Sequence, residues 1–307
     1  MTRHFLRDDD LTPAEQAEIL SLALTMKADP FGYKPLAGPV TVATMYDKPT
    51  LRTQVSFSAG IAELGGHSMM IDAGLAAAGQ RESIADVARV VGRQAGILVW
   101  RTYLQSNLDQ MAACAGIPVI NALTDDFHPC QLLADLLTVL EHKGRTSGLV
   151  VAFLGDGGCN MGNSWVLAGA LAGMHVRVSS PERHNPLAEV RATAGEYAEQ
   201  TGGSVTLVRD PREAVAGADV LVTDTWVSMG KEAETDARMA EFGAWQLNAD
   251  LLSQAHPEAI VLHCLPAHRG QEITAEVIDG PHSVVWDEAE NRRHAQKAVM
   301  NWLWERR

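Results

Sequence analysis

Short apolar runs recur along this chain with helical segments between them, and this alternation restricts the fold more than any other feature. The runs are residues 40–45, 68–71, 96–100, 118–120, 149–154, 175–179, 204–208, 220–223 and 259–262. Strands that alternate with helices pair in parallel, because each helix returns the chain along the sheet face before the next strand begins. Helical patterns are expected over 12–28, from near Thr53 into Leu64-Gly65-Gly66, over 129–143, 165–174, 185–200 and 211–217, and in an amphipathic stretch over 288–304. A second cycle of alternation opens near Gly148. The expected architecture is α/β: two domains with parallel sheets, residues 1–144 and 145–287, joined by two bridging helices, with residues 288–307 packing back on the first. The default place for a ligand is then the cleft between the domains.

Composition narrows the function. A chain of 307 residues, 46% hydrophobic and 21% charged, has room for a large core and the make-up of an ordinary globular protein. A formal charge of −13 argues against a nucleic-acid partner, since phosphate backbones select basic surfaces. It leaves room for a small anion, because a few arginines in one pocket reverse the local field. No uninterrupted apolar run approaches the roughly 18 residues of a membrane span, and the opening MTRHFLRDDDL lacks an apolar signal core. The expectation is a cytoplasmic protein with no membrane partner. Cys114, Cys130, Cys159 and Cys264 show no CxxC spacing, which fits neither a disulfide framework nor a zinc knuckle.

In open α/β sheets, ligands bind beyond the carboxyl ends of strands, and several expected strand ends carry reactive groups. VLHCLPAHRG, residues 261–270, places His263, Cys264, His268 and Arg269 there. A thiolate nucleophile, a metal site or a polar pocket would each use such a set. KPTLRTQVSF, residues 48–57, runs from a strand through a polar loop into a helix. The N–H groups and positive dipole end of a helix start suit phosphate, Thr50 and Thr53 offer hydroxyls, and Arg52 offers a bidentate partner. A plain helix cap with a solvated arginine fits the same residues.

Other motifs are equally two-sided. GDGGCNMG, from Gly155, has the look of a dinucleotide fingerprint, but no acidic residue ends the following strand. The glycines then serve close helix–strand packing and leave Asn160 as a polar group. His128 and Gln131 stand at i and i+3 around a helix start, able to face one ligand or to act as cap and surface residue. HExxH is absent and no partner falls at ligand spacing around His128, so no metal is expected. DTWVSMG, residues 224–230, combines a carboxylate, a hydroxyl and backbone amides in one loop, suited to an amino-acid head group or to a turn with Trp226 packed inward. The charge-dense DEAENRRHAQK, from Asp287, reads as a solvated helix face, with Arg292 of interest only if that helix returns to the site.

The order and spacing of these motifs are more specific than any one of them. With KPTLRTQVSF, Trp100-Arg101-Thr102, FHPCQ, GDGGCNMGNS, DTWVSMG, HCLPAHRG and EAENRRH, the chain resembles the aspartate/ornithine carbamoyltransferase superfamily over essentially its whole length. Its SMG loop and HCLP strand end are similar to the ornithine branch. The resemblance implies a first domain that binds carbamoyl phosphate and a second that binds L-ornithine, with citrulline and phosphate as products in arginine biosynthesis. Carried over by position, Thr50, Leu51, Arg52 and Thr53 would hold the phosphate, and Arg101, His128, Gln131 and Arg292 would surround the carbamoyl group. Asn160, Asp224, Ser228 and Met229 would hold the amino-acid end of ornithine, with Cys264 and Leu265 beside the reacting amine. Arg101, His128, Asp224 and Cys264 would form the catalytic set. The resemblance also implies a homotrimer or a multiple of trimers, with no metal and no cofactor.

The chain departs from the pattern in places. The phosphate loop usually reads STRTR, whereas here Pro49 precedes Thr50-Leu51-Arg52-Thr53-Gln54. Ser58 stands where a Glu is common, and Cys159 replaces the first Asn of a usual pair. Other readings of the sequence are a carbamoyltransferase for putrescine, lysine or a modified ornithine, an oxidoreductase built on GDGGCNMG, and a non-catalytic ligand-binding homologue. The retained Arg52, Arg101, His128, Asp224, Cys264 and Arg292 make the last of these the least economical.

Overall fold

A computed structural model describes residues 2–227 and 232–307. The chain divides into two compact units, Met1–Leu137 with Glu290–Arg307, and Thr138–Ala289. The first unit contains α1 (Pro13–Ala28), β1 (Thr41–Tyr46), α2 (Arg52–Glu63), β2 (His67–Ile71), α3 (Ala73–Ala76), α4 (Ile84–Val91), β3 (Ile97–Arg101), α5 (Gln105–Ala115), β4 (Val119–Leu123) and the greater part of α6 (Pro129–Lys143). Its strands pair in parallel in the order β2-β1-β3-β4. Every residue of β3 and β4 is buried, as a parallel sheet covered on both faces requires. On one face Ala43, Met45, Leu98 and Trp100 pack with Val87 of α4 and Met111 of α5.

Local chemistry explains where these elements begin. Thr12 starts α1 with a capping box: its hydroxyl accepts the Glu15 N–H, and the Glu15 carboxylate accepts the Thr12 N–H. The chain leaves β1 toward β2 in one direction along the sheet and β3 toward β4 in the other. The reversal between β1 and β3 opens a gap at their carboxyl ends, the place where doubly wound sheets bind ligands.

The second unit contains β5 (Val150–Leu154), α7 (Asn160–Leu171), β6 (His175–Ser179), α8 (Ala188–Thr201), β7 (Ser204–Val208), α9 (Pro211–Val215), β8 (Val220–Thr223), α10 (Thr235–Phe242), α11 (Ala249–Leu252), β9 (Ile260–Leu262), α12 (Ala275–Ile278) and the start of α13 (Val285–Glu305). Its sheet is parallel throughout, in the order β7-β6-β5-β8-β9, and reverses direction between β5 and β8. Ala152, Leu154, Leu221 and Val261 form its core with Ile273 and Val277.

Two elements differ from the sequence expectation. The helix expected from Trp165 begins at Asn160, because the glycines let the preceding loop fold against its first turn: a Cβ on Gly162 would lie 2.1 Å from the Gly157 carbonyl oxygen. Gly155, with φ of +117°, turns the chain out of β5 in a conformation that side chains disfavour. The second difference is α13, whose charged run is not a solvated face. Arg292, His294 and Lys297 are buried in the first unit, where the Lys297 ammonium donates to Glu63 Oε2 at 2.7 Å and to the Pro30 carbonyl at 3.0 Å. Hydropathy alone cannot distinguish a wet polar face from one that is buried with partners. Among the described residues, no helix is long and apolar enough to cross a membrane.

Candidate active site

In the first unit, β1, β3 and β4 are neighbours, and the residues at their carboxyl ends converge. Arg52 opens α2 directly after the loop beyond β1, and Leu51 at its N-cap supplies no side-chain cap. The first-turn amides of this 12-residue helix therefore keep their anion-binding character. Buried Thr53 accepts a hydrogen bond from Arg292 Nη2 at 3.1 Å, and Arg101 Nη1 lies 3.5 Å from the same hydroxyl oxygen. Arg292 Nη1 donates to Gln131 Oε1 at 2.9 Å, and Gln131 Nε2 donates to Asp135 Oδ1 at 2.8 Å. Two guanidinium groups meeting at one hydroxyl concentrate positive charge in a buried spot, which suits an anion.

Electrostatics set the protonation of the neighbours. Burial, together with the charges of Arg292, Arg101, Lys48 and Arg52, holds His128 well below the usual imidazole range. It is neutral near pH 7, with one N–H to donate. Burial pushes the Cys130 thiol up to about 12, so it is not a nucleophile. Lys48 is buried, paired with Asp125, and stands 4.7 Å from the Tyr103 ring centroid.

In the second unit, β5, β8 and β9 are neighbours, and groups just beyond the ends of all three strands meet at Asp224. The Cys264 thiol donates to Asp224 Oδ1 at 3.2 Å, and the Thr225 N–H donates to the same oxygen at 2.7 Å. Cys159 Sγ lies 4.0 Å from Asp224 Oδ2. Burial raises the Asp224 pKa, opposed by nearby His263. Burial, with Asp224 and Asp156, holds the Cys159 thiol well above its usual range, so it stays protonated.

His263 is locked at the end of β9. Its Nδ1 accepts the Leu265 N–H at 2.9 Å, which leaves the proton on Nε2 to be donated to Glu272 Oε1 at 3.0 Å. Its own N–H donates to Glu288 Oε2 at 2.8 Å. This bonding holds Leu265 at φ of +58°, a left-handed conformation uncommon outside glycine. Asp224, His263 and Cys264 each bring a potential metal-ligand atom within 4.8 Å of the others. The ring nitrogens of His263 are engaged by Leu265 and Glu272, and the Cys264 thiol is given to Asp224, so each of these groups already has a protein partner.

The expected residues thus fall into two groups, one per unit. Thr53, Arg101, Gln131 and Arg292 share one hydrogen-bond chain, with neutral His128 in their field. Thr50, Leu51 and Arg52 lie in the loop and first turn beside Thr53, with Leu51 exposed. Asp224, Cys264 and Leu265 form the second group, and Asn160 opens α7 next to Cys159. Ser228 and Met229 lie outside the described residues. Trp226 packs inward against Phe242, their ring centroids 6.0 Å apart, so the structural reading of that turn and its carboxylate coexist. Arg269 pairs with Asp279 at 2.6 Å, and His268 is exposed.

Some participants carry little signal in the sequence. Asp135 stands four residues after Gln131, a helical spacing that brings side chains together. Glu272 and Glu288 have no local mark; they reach His263 from 9 and 25 residues away.

The chain is similar to known proteins throughout its length. Residues 3–141 match the carbamoyl-P binding domain of aspartate/ornithine carbamoyltransferase, and residues 147–303 match its Asp/Orn binding domain. It is 58% identical over 303 residues to an ornithine carbamoyltransferase of Clavibacter michiganensis subsp. michiganensis, covering 99% of both chains. It is 57% identical over 304 residues to one of Mycolicibacterium paratuberculosis, covering 99% of this chain and 98% of the relative. The solved ornithine carbamoyltransferase from Pyrococcus furiosus is 43% identical with a TM-score of 0.94, covering 97% of this chain and 96% of its own. With both domains matched in order and the motif residues gathered at two strand-end clusters, the chain belongs to the aspartate/ornithine carbamoyltransferase family.

Proposed function

We propose that this protein is an ornithine carbamoyltransferase, moving the carbamoyl group of carbamoyl phosphate to the δ-amine of L-ornithine and giving L-citrulline and phosphate for arginine biosynthesis. The observation that carries the reading is Asp224, a carboxylate at the head of a parallel sheet with the thiols of Cys264 and Cys159 against its oxygens. A carboxylate attracts a cationic or hydrogen-donating amine and repels an acceptor bearing a second carboxylate. That separates ornithine from aspartate as the substrate.

The chemistry of each group sets its role. Arg52 and the amides of residues 50–53 hold the phosphate, and Arg101, His128, Gln131 and Arg292 surround the carbamoyl group. Arg101 and neutral His128 donate to the carbonyl oxygen as charge develops there, typically the largest electrostatic contribution in acyl transfer. Asn160, Asp224, Ser228 and Met229 hold ornithine, with Cys264 and Leu265 beside its amine. The δ-amine, with a pKa near the lysine value of about 10.4, must first release a proton, and Asp224 with Cys264 orients the neutral form. Its nitrogen attacks the carbamoyl carbon, the bond from that carbon to the phosphate oxygen breaks, and the amine proton ends on the departing phosphate. No covalent enzyme intermediate and no dedicated side-chain base are needed. Orientation of the two substrates supplies much of the remaining acceleration.

A homotrimer belongs to the same proposal. Leu51 at the N-cap of α2 and Val55 in its first turn, 70% and 58% exposed, support a protein-facing surface. Cys264 must stay a thiol to serve Asp224, which supports a reducing, cytoplasmic setting.

The test is citrulline formation from carbamoyl phosphate and L-ornithine, run beside lysine, putrescine, N-acetylornithine and aspartate. Ornithine is expected to be the preferred acceptor. Preference for another amine, or ligand binding without ureido product, overturns the assignment.

A further inference from the structure

Gln131 sits between two partners of opposite hydrogen-bonding character. Its Nε2 donates to Asp135 Oδ1 at 2.8 Å, while its Oε1 accepts from Arg292 Nη1 at 2.9 Å. Gln131 and Asp135 are both buried, and Asp135 is four residues further along α6. The two ends of a glutamine amide have nearly the same shape, so only their partners decide which end points where. Here a flip would set the amide nitrogen against a guanidinium, donor to donor, and the amide oxygen against a carboxylate, acceptor to acceptor.

We propose that Asp135 is a positioning residue: it fixes the polarity of the Gln131 amide, so that the accepting edge faces Arg292 and the carbamoyl group, and thereby selects a carbamoyl over an acetyl phosphate. The inference rests on the carbamoyl-transfer reading above and deepens it. A carbamoyl group carries an NH2 where an acetyl group carries a methyl, and the two are alike in size. An accepting edge welcomes the first and is left unpaired by the second. Sites built to hydrogen-bond a donor reject analogues that lack it far more strongly than hydrophobic pockets reject a change of shape. The same fixed oxygen also aligns Arg292, whose other terminal nitrogen donates to Thr53. Asp135 thus acts at a distance, through Gln131 and Arg292, and touches no substrate itself.

Without Asp135, the Gln131 Nε2 loses its acceptor in a dry interior, and the amide rotates or tilts to find another. Loss of one such buried bond corresponds to roughly a tenfold change in an equilibrium constant.

The experiment compares Asp135→Leu, Asp135→Asn and Asp135→Ser with the parent enzyme. KM is measured for carbamoyl phosphate and for ornithine, together with the inhibition constant of acetyl phosphate. In D135L, KM for carbamoyl phosphate is expected to rise about tenfold with KM for ornithine unchanged, and the ratio of the acetyl phosphate inhibition constant to that KM to fall about tenfold. Asn at this position retains an acceptor oxygen, so D135N is expected to keep the parent ratio within about twofold. If D135L does not fold, D135S, too short to reach the amide, carries the same expectation. A purely structural role lowers thermal stability and the active fraction but leaves the ratio intact; an unchanged ratio in D135L or D135S overturns the proposal. Failure of the parent enzyme to form citrulline is a different result and strikes the function assignment instead.

Discussion

Arg292 donates through Nη2 to the Thr53 hydroxyl at 3.1 Å, joining the last helix to the first turn of α2 across 239 residues of sequence. The same guanidinium donates to Gln131, so one side chain from α13 ties the first turn of α2 to the first turn of α6. The proposed phosphate and carbamoyl positions therefore depend on a residue far from both in the chain.

Replacing Arg292 by glutamine removes both hydrogen bonds. Bonds to a charged group contribute roughly 1.5 kcal/mol or more each, so kcat/KM for carbamoyl phosphate is expected to fall at least about 10²-fold. Steady-state kinetics with ornithine saturating reads this directly. A loss under threefold means that Arg292 is only structural.

Cys264→Ala removes the thiol that donates to Asp224 Oδ1. KM for ornithine is expected to rise by roughly tenfold and kcat to fall, with measurable turnover retained. Intact-mass measurement of the parent enzyme after quenching in the presence of carbamoyl phosphate is expected to show no added carbamoyl group. A carbamoyl-cysteine adduct contradicts the non-covalent step.

Acid lability is expected from two buried histidines of the first unit. Burial and neighbouring cations hold His294 down at about 4 and His128 well below the usual 6.5. A depressed folded-state pKa means that the unfolded chain binds the proton first, so stability is full above 6.5 and is lost as pH falls from there toward about 4. Thermal unfolding between these pH values is expected to show a shallower acid decline in His294→Gln than in the parent. Equal slopes refute the assignment.

Lys297 and Glu63 form a buried ion pair at 2.7 Å that holds α13 to α2. Removing Lys297 leaves Glu63 with Arg293, whose Nη1 lies 3.2 Å from Oε1, so Lys297→Met is expected to destabilise by roughly 1.5–3 kcal/mol, the contribution of one hydrogen bond to a charged group. Exchanging both, as Lys297→Met with Glu63→Leu, is expected to recover part of that loss, because two apolar groups replace two desolvated charges while Arg293, itself partly exposed, gives up its bond to Glu63 for water. Denaturant titration of the single and double variants measures the coupling, and additive effects exclude it.

Local pattern controls the part of the fold that was legible in the sequence. The strand–helix alternation specified parallel α/β units, and Thr12 with Glu15 marked the start of α1, because period and capping act over a few residues. Motif order pointed to the strand-end residues Thr53, Arg101, His128, Asp224 and Cys264, because in such folds the reactive groups lie where strands end. Tertiary structure decided the rest. It put the direction reversals between β1 and β3 and between β5 and β8, buried the charged face of α13, and brought Glu272 and Glu288 to His263. Hydropathy marks a polar residue as polar whether water or a distant partner satisfies it, and only the folded chain shows which partner arrives. That is why Arg292, which hydropathy alone reads as one charge in a polar run and only motif order marked as a site residue, is in the structure the buried link between Thr53 and Gln131.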